Sequence, residues 1–114
     1  MKIIEAIVQP YKLDDVKKAL VEVGVEGMTI MEVQGFGHQK PGRETYKGIE
    51  YTANFVPKMK IEVVVEDSLV QRVIDTITRC AKTDSAGDGR IFVLDLLAAM
   101  RIKTGPMLET ALAR

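Results

Sequence analysis

The sequence has one cysteine, no tryptophan and no excess of charge of either sign. Cys80 alone excludes an internal disulfide framework and a zinc site built from several cysteines. Sixteen Lys and Arg balance sixteen Asp and Glu, so the basic excess expected of a general nucleic-acid surface is missing. No apolar run reaches the roughly 20 residues that span a bilayer, and residues 1–5 lack the pattern of a signal peptide. These absences predict a cytoplasmic chain that neither binds nucleic acid nor inserts into a membrane.

The apolar residues fall into six segments of regular spacing. The length of 114 residues, with 46% hydrophobic and 28% charged, is typical of one globular domain. Residues 2–8, 28–36, 58–65 and 90–98 are short apolar segments that predict strands. Two other segments have helical spacing, the first with Leu13, Val16, Leu20 and Val23, the second with Val70, Val73, Ile77 and Ala81.

The order of these segments predicts the fold class. Strand–helix–strand, a long loop and a second strand–helix–strand indicate an α+β, ferredoxin-like βαββαβ sandwich with both helices on one face of the sheet. The other face holds apolar residues that a single copy would leave in water. Because such a face usually marks an interface, we expect an oligomer.

The connection between the second and third strands, residues 37–54, is unusually long. It is polar, contains Gly and Pro, and has no sustained period. Loops beyond about 15 residues are normally functional or disordered, and a disordered insertion is the plain alternative. Tyr46 and Tyr51 are two of only three tyrosines in the chain, and exposed tyrosines suit partner docking or covalent modification.

A second group of residues is suited to binding an anion. The run Gly87-Asp88-Gly89-Arg90 follows the second helix, and glycines allow backbone N–H groups to approach an anion closely. Arg101 and Lys103 point to the same side if the last strand continues, and with Arg90 and Lys58 they would neutralise a triphosphate. A helix-ending turn and a solvated strand edge are the alternative readings. His38 is the single histidine, so no catalytic Ser–His–Asp or Cys–His set is available and enzyme activity is not predicted.

Taken together, these segments resemble the PII signal-transduction proteins of the nitrogen-regulatory type. The resemblance covers essentially the whole chain and rests on KIIEAIVQPYKLDDVKKAL, GMTIMEVQGFG, YKGIEY and TDSAGDGRIFV. It implies a single PII-type domain over residues 1–114 and a homotrimer with a nucleotide site in each cleft between subunits. Residues 37–55 correspond to the family's T-loop, 82–90 to its B-loop and 102–114 to its C-terminal loop.

The resemblance also implies a non-enzymatic sensor in which ATP and ADP compete for the cleft. The B-loop residues Gly87, Gly89 and Arg90 would hold phosphates, together with Arg101 and Lys103 from the neighbouring subunit, and Asp88 and Gln39 are counted among the nucleotide-binding residues. Further nucleotide contacts along the base and ribose fall on Thr29, Gly35, Gly37 and Val64.

A bound Mg²⁺ and 2-oxoglutarate are implied as well. Gln39 would ligate the Mg²⁺ that bridges ATP and 2-oxoglutarate, since Mg²⁺ takes oxygen ligands and needs few protein contacts. Lys58 would pair with the distal carboxylate of 2-oxoglutarate, and Lys40 would contribute to the same site. ADP lacks the γ-phosphate, so this ternary site should not form with ADP.

The T-loop is implied to contact target proteins, through Tyr46, Lys47 and Tyr51. Tyr51 matches the family's uridylylation site, although Ile49 stands where the family commonly has Ala or Ser. The implied targets are an ammonium channel, which would recruit the protein to the inner membrane face, nitrogen-assimilation enzymes and sensor kinases. Two alternatives remain beside this reading: a PII-like paralogue that senses adenine nucleotide with a different small anion, and a weak ATPase sensor.

Overall fold

In the described part of the chain, two helices lie on a four-stranded antiparallel sheet. The computed structural model describes residues 1–36, 43–46, 49–52 and 55–106. Along the chain the elements are β1 (Lys2–Val8), α1 (Leu13–Glu22), β2 (Thr29–Gly35), β3 (Arg43–Tyr46), β4 (Ile49–Thr52), β5 (Val56–Val65), α2 (Val70–Ala81), β6 (Gly89–Asp95), β7 (Met100–Arg101) and β8 (Gly105–Pro106). A short 3-10 turn leads into each helix, Pro10–Lys12 before α1 and Asp67–Leu69 before α2.

The strand order identifies the topology. The sheet runs β2-β5-β1-β6, and each neighbouring pair is antiparallel. With one helix in each half of the chain, this is the ferredoxin-like α+β arrangement that the sequence predicts. The two central strands, β1 and β5, are the ones whose apolar residues are most deeply buried.

Both helices pack on one face of the sheet, as predicted. Alternate residues of β1 and β5 meet the apolar stripes of α1 and α2 in one cluster, which includes Ile4, Ala6, Val16, Leu20, Ile61, Val63, Val73 and Ile77. Each of these is at most 2% exposed. Burying a large aliphatic side chain stabilises the fold by roughly 1.5–3 kcal/mol. Burial in this layer therefore explains why apolar residues recur at helical spacing in α1 and α2 and at alternate positions in β1 and β5.

Neither α1 nor α2 lies on the opposite sheet face, which we call the open face. The register aligns Ile3, Glu5 and Ile7 of β1 with Val64, Glu62 and Lys60 of β5 and with Leu94, Phe92 and Arg90 of β6. Phe92 and Leu94 are exposed. At the centre of this face Lys60 forms an ion pair with Glu5 at 2.9 Å. The solvent-exposed apolar surface that the sequence predicts for this face is therefore present in the single chain.

Two hairpins differ from the sequence prediction. Within the segment predicted to lack regular structure, β3 and β4 pair with Tyr46 opposite Ile49. Near the C-terminus the last sheet strand ends at Asp95 rather than 98, and β7 pairs with β8. Arg101 lies in β7 and Lys103 in the turn after it, so the condition under which they would point to the same side, a continuing last strand, is not met. Over the described part of the chain, neither helix is long and apolar enough to cross a membrane.

Candidate functional site: a cleft beside the loop before β6

A cleft of about 430 Å³ opens where the open face meets the loop between α2 and β6. Its volume is within the range of small-molecule sites. Six of the residues predicted from the sequence line it, and they come from β2, β5, the loop and β6: Gly35, Lys58, Gly87, Asp88, Gly89 and Arg90. Ile7, Phe36, Ala86 and Phe92 complete the lining. The fold therefore gathers a candidate set that is widely separated in sequence.

Two glycines let the loop backbone lie against β1. Gly87 and Gly89 have backbone φ angles of 91° and 110°. Residues other than glycine rarely adopt this conformation. At Gly89 a Cβ atom would lie 1.7 Å from the Ile7 carbonyl oxygen. Backbone in this conformation places N–H groups where an anion can approach them, which supports the prediction of an anion-binding turn.

Asp88 closes the loop on itself. Its carboxylate accepts a hydrogen bond from the Thr83 backbone N–H at 2.6 Å and a second from the Thr83 hydroxyl. These hydrogen bonds hold the pKa of Asp88 below its ordinary value, against a smaller opposing effect of burial. Asp88 thus lies in the cleft wall as an anion whose oxygens are engaged by Thr83.

Lys58 is buried beneath the same loop. The sequence places it on the wetter side of its strand, yet it is only 3% exposed, because the loop covers the open face at this end. Its ammonium group donates to the Gly87 carbonyl oxygen. Burial lowers the pKa of Lys58, while the charge of Asp88 acts in the opposite direction. A buried cation with a neutral partner is well suited to meeting an anion.

Gln9 is a residue that the sequence reasoning missed. Its side-chain amide donates to the same Gly87 carbonyl at 2.8 Å. The sequence shows only that an amide side chain follows a buried strand directly, which does not by itself indicate a contact with the loop before β6.

Four further predicted residues, all within the described part of the chain, do not line this cleft. Thr29 and Val64 lie at the other end of the open face, where Thr29 pairs with Glu62 and Val64 with Ile3. Arg101 and Lys103 belong to the segment around β7. Gly37, Gln39, Lys40 and Lys47 are outside the described residues. Tyr46 and Tyr51 lie on β3 and β4, and their side chains are outside the described part.

An aromatic pair stands where the 37–54 segment leaves and rejoins the sheet. The rings of Phe36 and Phe55 are 6.0 Å apart and inclined at 46°, a separation at which aromatic rings attract one another. Phe36 also lines the cleft. The two ends of the 37–54 segment therefore meet beside the cleft wall.

The chemistry available in the cleft is that of binding. Lys58 and Arg90 supply positive charge, and the two glycines allow close approach of the backbone. Among the described residues no group of three or more His, Cys, Asp or Glu side chains is placed to hold a metal ion. The arrangement is that of a candidate anion-binding cleft with apolar walls.

Fold and cleft together define a ferredoxin-like domain with a candidate phosphate site. Comparison of the sequence with known proteins identifies the family. A family model described as nitrogen regulatory protein P-II matches residues 1–106. Nitrogen regulatory protein P-II 1 of Escherichia coli (strain K12) is 55% identical over 105 residues, covering 92% of this chain and 94% of the relative. The proteins named nitrogen regulatory protein P-II from Klebsiella oxytoca and Bradyrhizobium diazoefficiens show the same identity and coverage. The chain therefore belongs to the P-II family of nitrogen regulatory proteins, which supports a role as a signal-transduction regulator.

Proposed function

We propose that this protein binds ATP or ADP in the cleft, binds 2-oxoglutarate together with Mg-ATP, and regulates target proteins through its T-loop, residues 37–55. One observation carries the proposal: six of the residues that the resemblance assigns to these ligands line a single cleft. The match to the P-II family over residues 1–106 supports the same reading.

In this proposal the phosphates lie along the loop before β6. The positive-φ backbone at Gly87 and Gly89 approaches the phosphate oxygens, and Arg90 neutralises part of their charge. ATP carries one phosphate more than ADP, so the cationic end of the cleft distinguishes the two nucleotides.

A neighbouring copy completes the site. Thr29, Val64, Arg101 and Lys103 are absent from the cleft lining within one chain, and we propose that a second subunit of a homotrimer supplies them. The exposed apolar residues of the open face offer the surface for this assembly.

Mg²⁺ and 2-oxoglutarate belong to the T-loop side of the cleft. Gln39 holds Mg²⁺ through its amide oxygen, in keeping with the preference of Mg²⁺ for oxygen ligands and phosphates. Lys58 pairs with the distal carboxylate of 2-oxoglutarate, and Lys40 adds a further contact. When bound, Mg²⁺ would couple the effector to ATP through its preference for phosphate oxygens, and ADP, which lacks the γ-phosphate, would not support this coupling.

The T-loop then carries the ligand state to other proteins. Tyr46, Lys47 and Tyr51 are the proposed contact residues, and Tyr51 is the candidate for uridylylation. The proposed targets are an ammonium channel, nitrogen-assimilation enzymes and sensor kinases. The protein acts in the cytoplasm and reaches the inner membrane face through the channel.

Calorimetry on the purified chain tests the ligand set. ATP is titrated first, and 2-oxoglutarate is then titrated into the ATP complex with and without Mg²⁺. We expect Mg-dependent binding of 2-oxoglutarate that disappears when ADP replaces ATP. Lys58→Met should weaken 2-oxoglutarate binding about tenfold or more, because a hydrogen bond to a charged group contributes about 1.5–3 kcal/mol. Lys17→Met, on the exposed side of α1, is the matched control.

The two alternative functions, a paralogue with another effector and a weak ATPase, predict different results for the same purified chain. Tight nucleotide binding without any response to 2-oxoglutarate would indicate a paralogue that senses another small anion. Steady release of phosphate from ATP would indicate a weak ATPase. Absence of nucleotide binding would refute the proposed function.

A further inference from the structure

A residue of β5 and the residue directly after β1 hold one carbonyl group of the loop between α2 and β6, which we call the phosphate loop (residues 82–88). Gln9 donates to the Gly87 carbonyl oxygen at 2.8 Å, and Lys58 donates to the same oxygen. The register pairs Val8 with Met59, which brings Gln9, the next residue, beside Lys58. The loop is therefore fixed to both central strands through a single atom.

The two donors are not equivalent chemically. Lys58 is a buried ammonium, and its present acceptor is a neutral carbonyl. A carboxylate is a stronger acceptor for an ammonium group than a carbonyl. The Gln9 amide is neutral and gains no comparable advantage from an anion. An anionic effector in the cleft would therefore draw Lys58 away from Gly87 and leave Gln9 in place.

We propose that Gln9 is a positioning residue: it keeps the Gly87 carbonyl, and with it the phosphate loop, in place when Lys58 turns to an anionic effector. The inference rests on the proposed function for the identity of that effector. Without Gln9, the departure of Lys58 would leave a part-buried carbonyl without either donor, which is costly. Gln9 therefore lets nucleotide and effector occupy the cleft together.

Gln9→Met removes the donor and keeps nearly the same side-chain length. ATP should bind within about twofold of wild type, because Lys58 still holds Gly87. Binding of 2-oxoglutarate to the Mg-ATP complex should weaken about fivefold or more, the equivalent of an unsatisfied buried acceptor. A merely structural role would weaken both ligands together. Gln71→Met is the control, since Gln71 bonds Asp75 on the exposed side of α2, and it should change neither affinity.

Amide exchange in the ligand-free chain tests the shared carbonyl directly. Gln9→Met and Lys58→Met each leave one donor, whereas the double variant leaves none. Exchange at residues 84–88 should therefore accelerate in the double variant by more than the product of the two single effects. Multiplicative effects would overturn the inference.

The calorimetric outcomes separate the two proposals. If wild type responds to 2-oxoglutarate and Gln9→Met responds equally, the inference is wrong and the proposed function stands. If wild type does not respond, the proposed function fails and the effector role of Gln9 fails with it.

Discussion

At position 89 the backbone leaves no room for a side chain. Gly89 opens β6 opposite Val8, with a φ of 110°, and a Cβ atom would approach the Ile7 carbonyl oxygen to 1.7 Å. Since the obstacle is the backbone of a central strand, it cannot move aside like a flexible side chain. The residue thus fixes the path of the loop that lines the cleft.

Gly89→Ala should accordingly destabilise the fold strongly. We expect a loss of about 3 kcal/mol or more, from the clash and the left-handed backbone together. Gly24→Ala is the matched control: Gly24 has a φ of 103°, but nothing lies within 4 Å of its added Cβ, so about 1–2 kcal/mol should be lost. Urea unfolding at equal protein concentration measures both. Equal losses at the two positions would contradict the steric argument.

Individual residues of the site can be predicted from the sequence only where the amino-acid type itself suggests a role in binding. Glycines and cations stand out, and Gly87, Gly89, Arg90 and Lys58 do meet in the cleft. The burial of Lys58 is not predictable from its strand, because it depends on a loop that follows 29 positions later. Gln9 has no distinctive local pattern, and its role comes from a contact 78 positions away.

Among the elements, the loop between α2 and β6 is held by an internal charge. Asp88 accepts two hydrogen bonds from Thr83, and these lower the pKa of the carboxyl from its ordinary value of 3.8. A carboxyl whose folded pKa is depressed stabilises the folded state when it is ionised. This contribution is fully present above the ordinary pKa and is lost as the pH falls through the lower folded value.

The pH dependence of unfolding tests this arrangement. Wild type should be more stable than Asp88→Asn at neutral pH, and the difference should shrink as the pH falls below 3.8. Thr83→Val removes the hydroxyl donor, so the pKa of Asp88 should rise toward 3.8, and the pH-dependent loss of stability should be smaller and complete at a higher pH. Urea midpoints between pH 7 and about 2 measure both effects. A difference between wild type and Asp88→Asn that stays constant over this range would contradict the role of the charge.

Helices and strands are predictable from the sequence where their buried residues recur at a regular spacing. The stripes of α1 and α2 and the short apolar strands are determined by their burial in one core, so their type and order follow from sequence. The β3–β4 and β7–β8 hairpins are not predicted because their strands have only two to four residues, too few to establish a period. For such segments the turn and the tertiary context decide the conformation, and the composition alone reads as loop.

For the whole molecule, the open face is the feature that a single chain leaves unexplained. Phe92 and Leu94 are exposed on it, and Thr29 and Val64 lie on it away from the cleft. Both facts have one physical resolution under the proposed homotrimer: the assembly covers the apolar residues and brings Thr29 and Val64 of one copy toward the cleft of another. Association and nucleotide binding should therefore depend on each other.

Leu94→Asp tests this coupling without altering the cleft lining. Leu94 is 43% exposed and pairs with Ile3 on the open face, so a carboxylate there would be buried without a partner on assembly, at a cost of several kcal/mol. Sedimentation of wild type should give three times the chain mass of 12.6 kDa, and Leu94→Asp should sediment as a smaller species with ATP affinity reduced in parallel. Val21→Asp, at an exposed position of α1, should keep both properties. A Leu94→Asp chain that stays trimeric would place the interface elsewhere, and one that dissociates yet binds ATP normally would show that a single chain completes the nucleotide site.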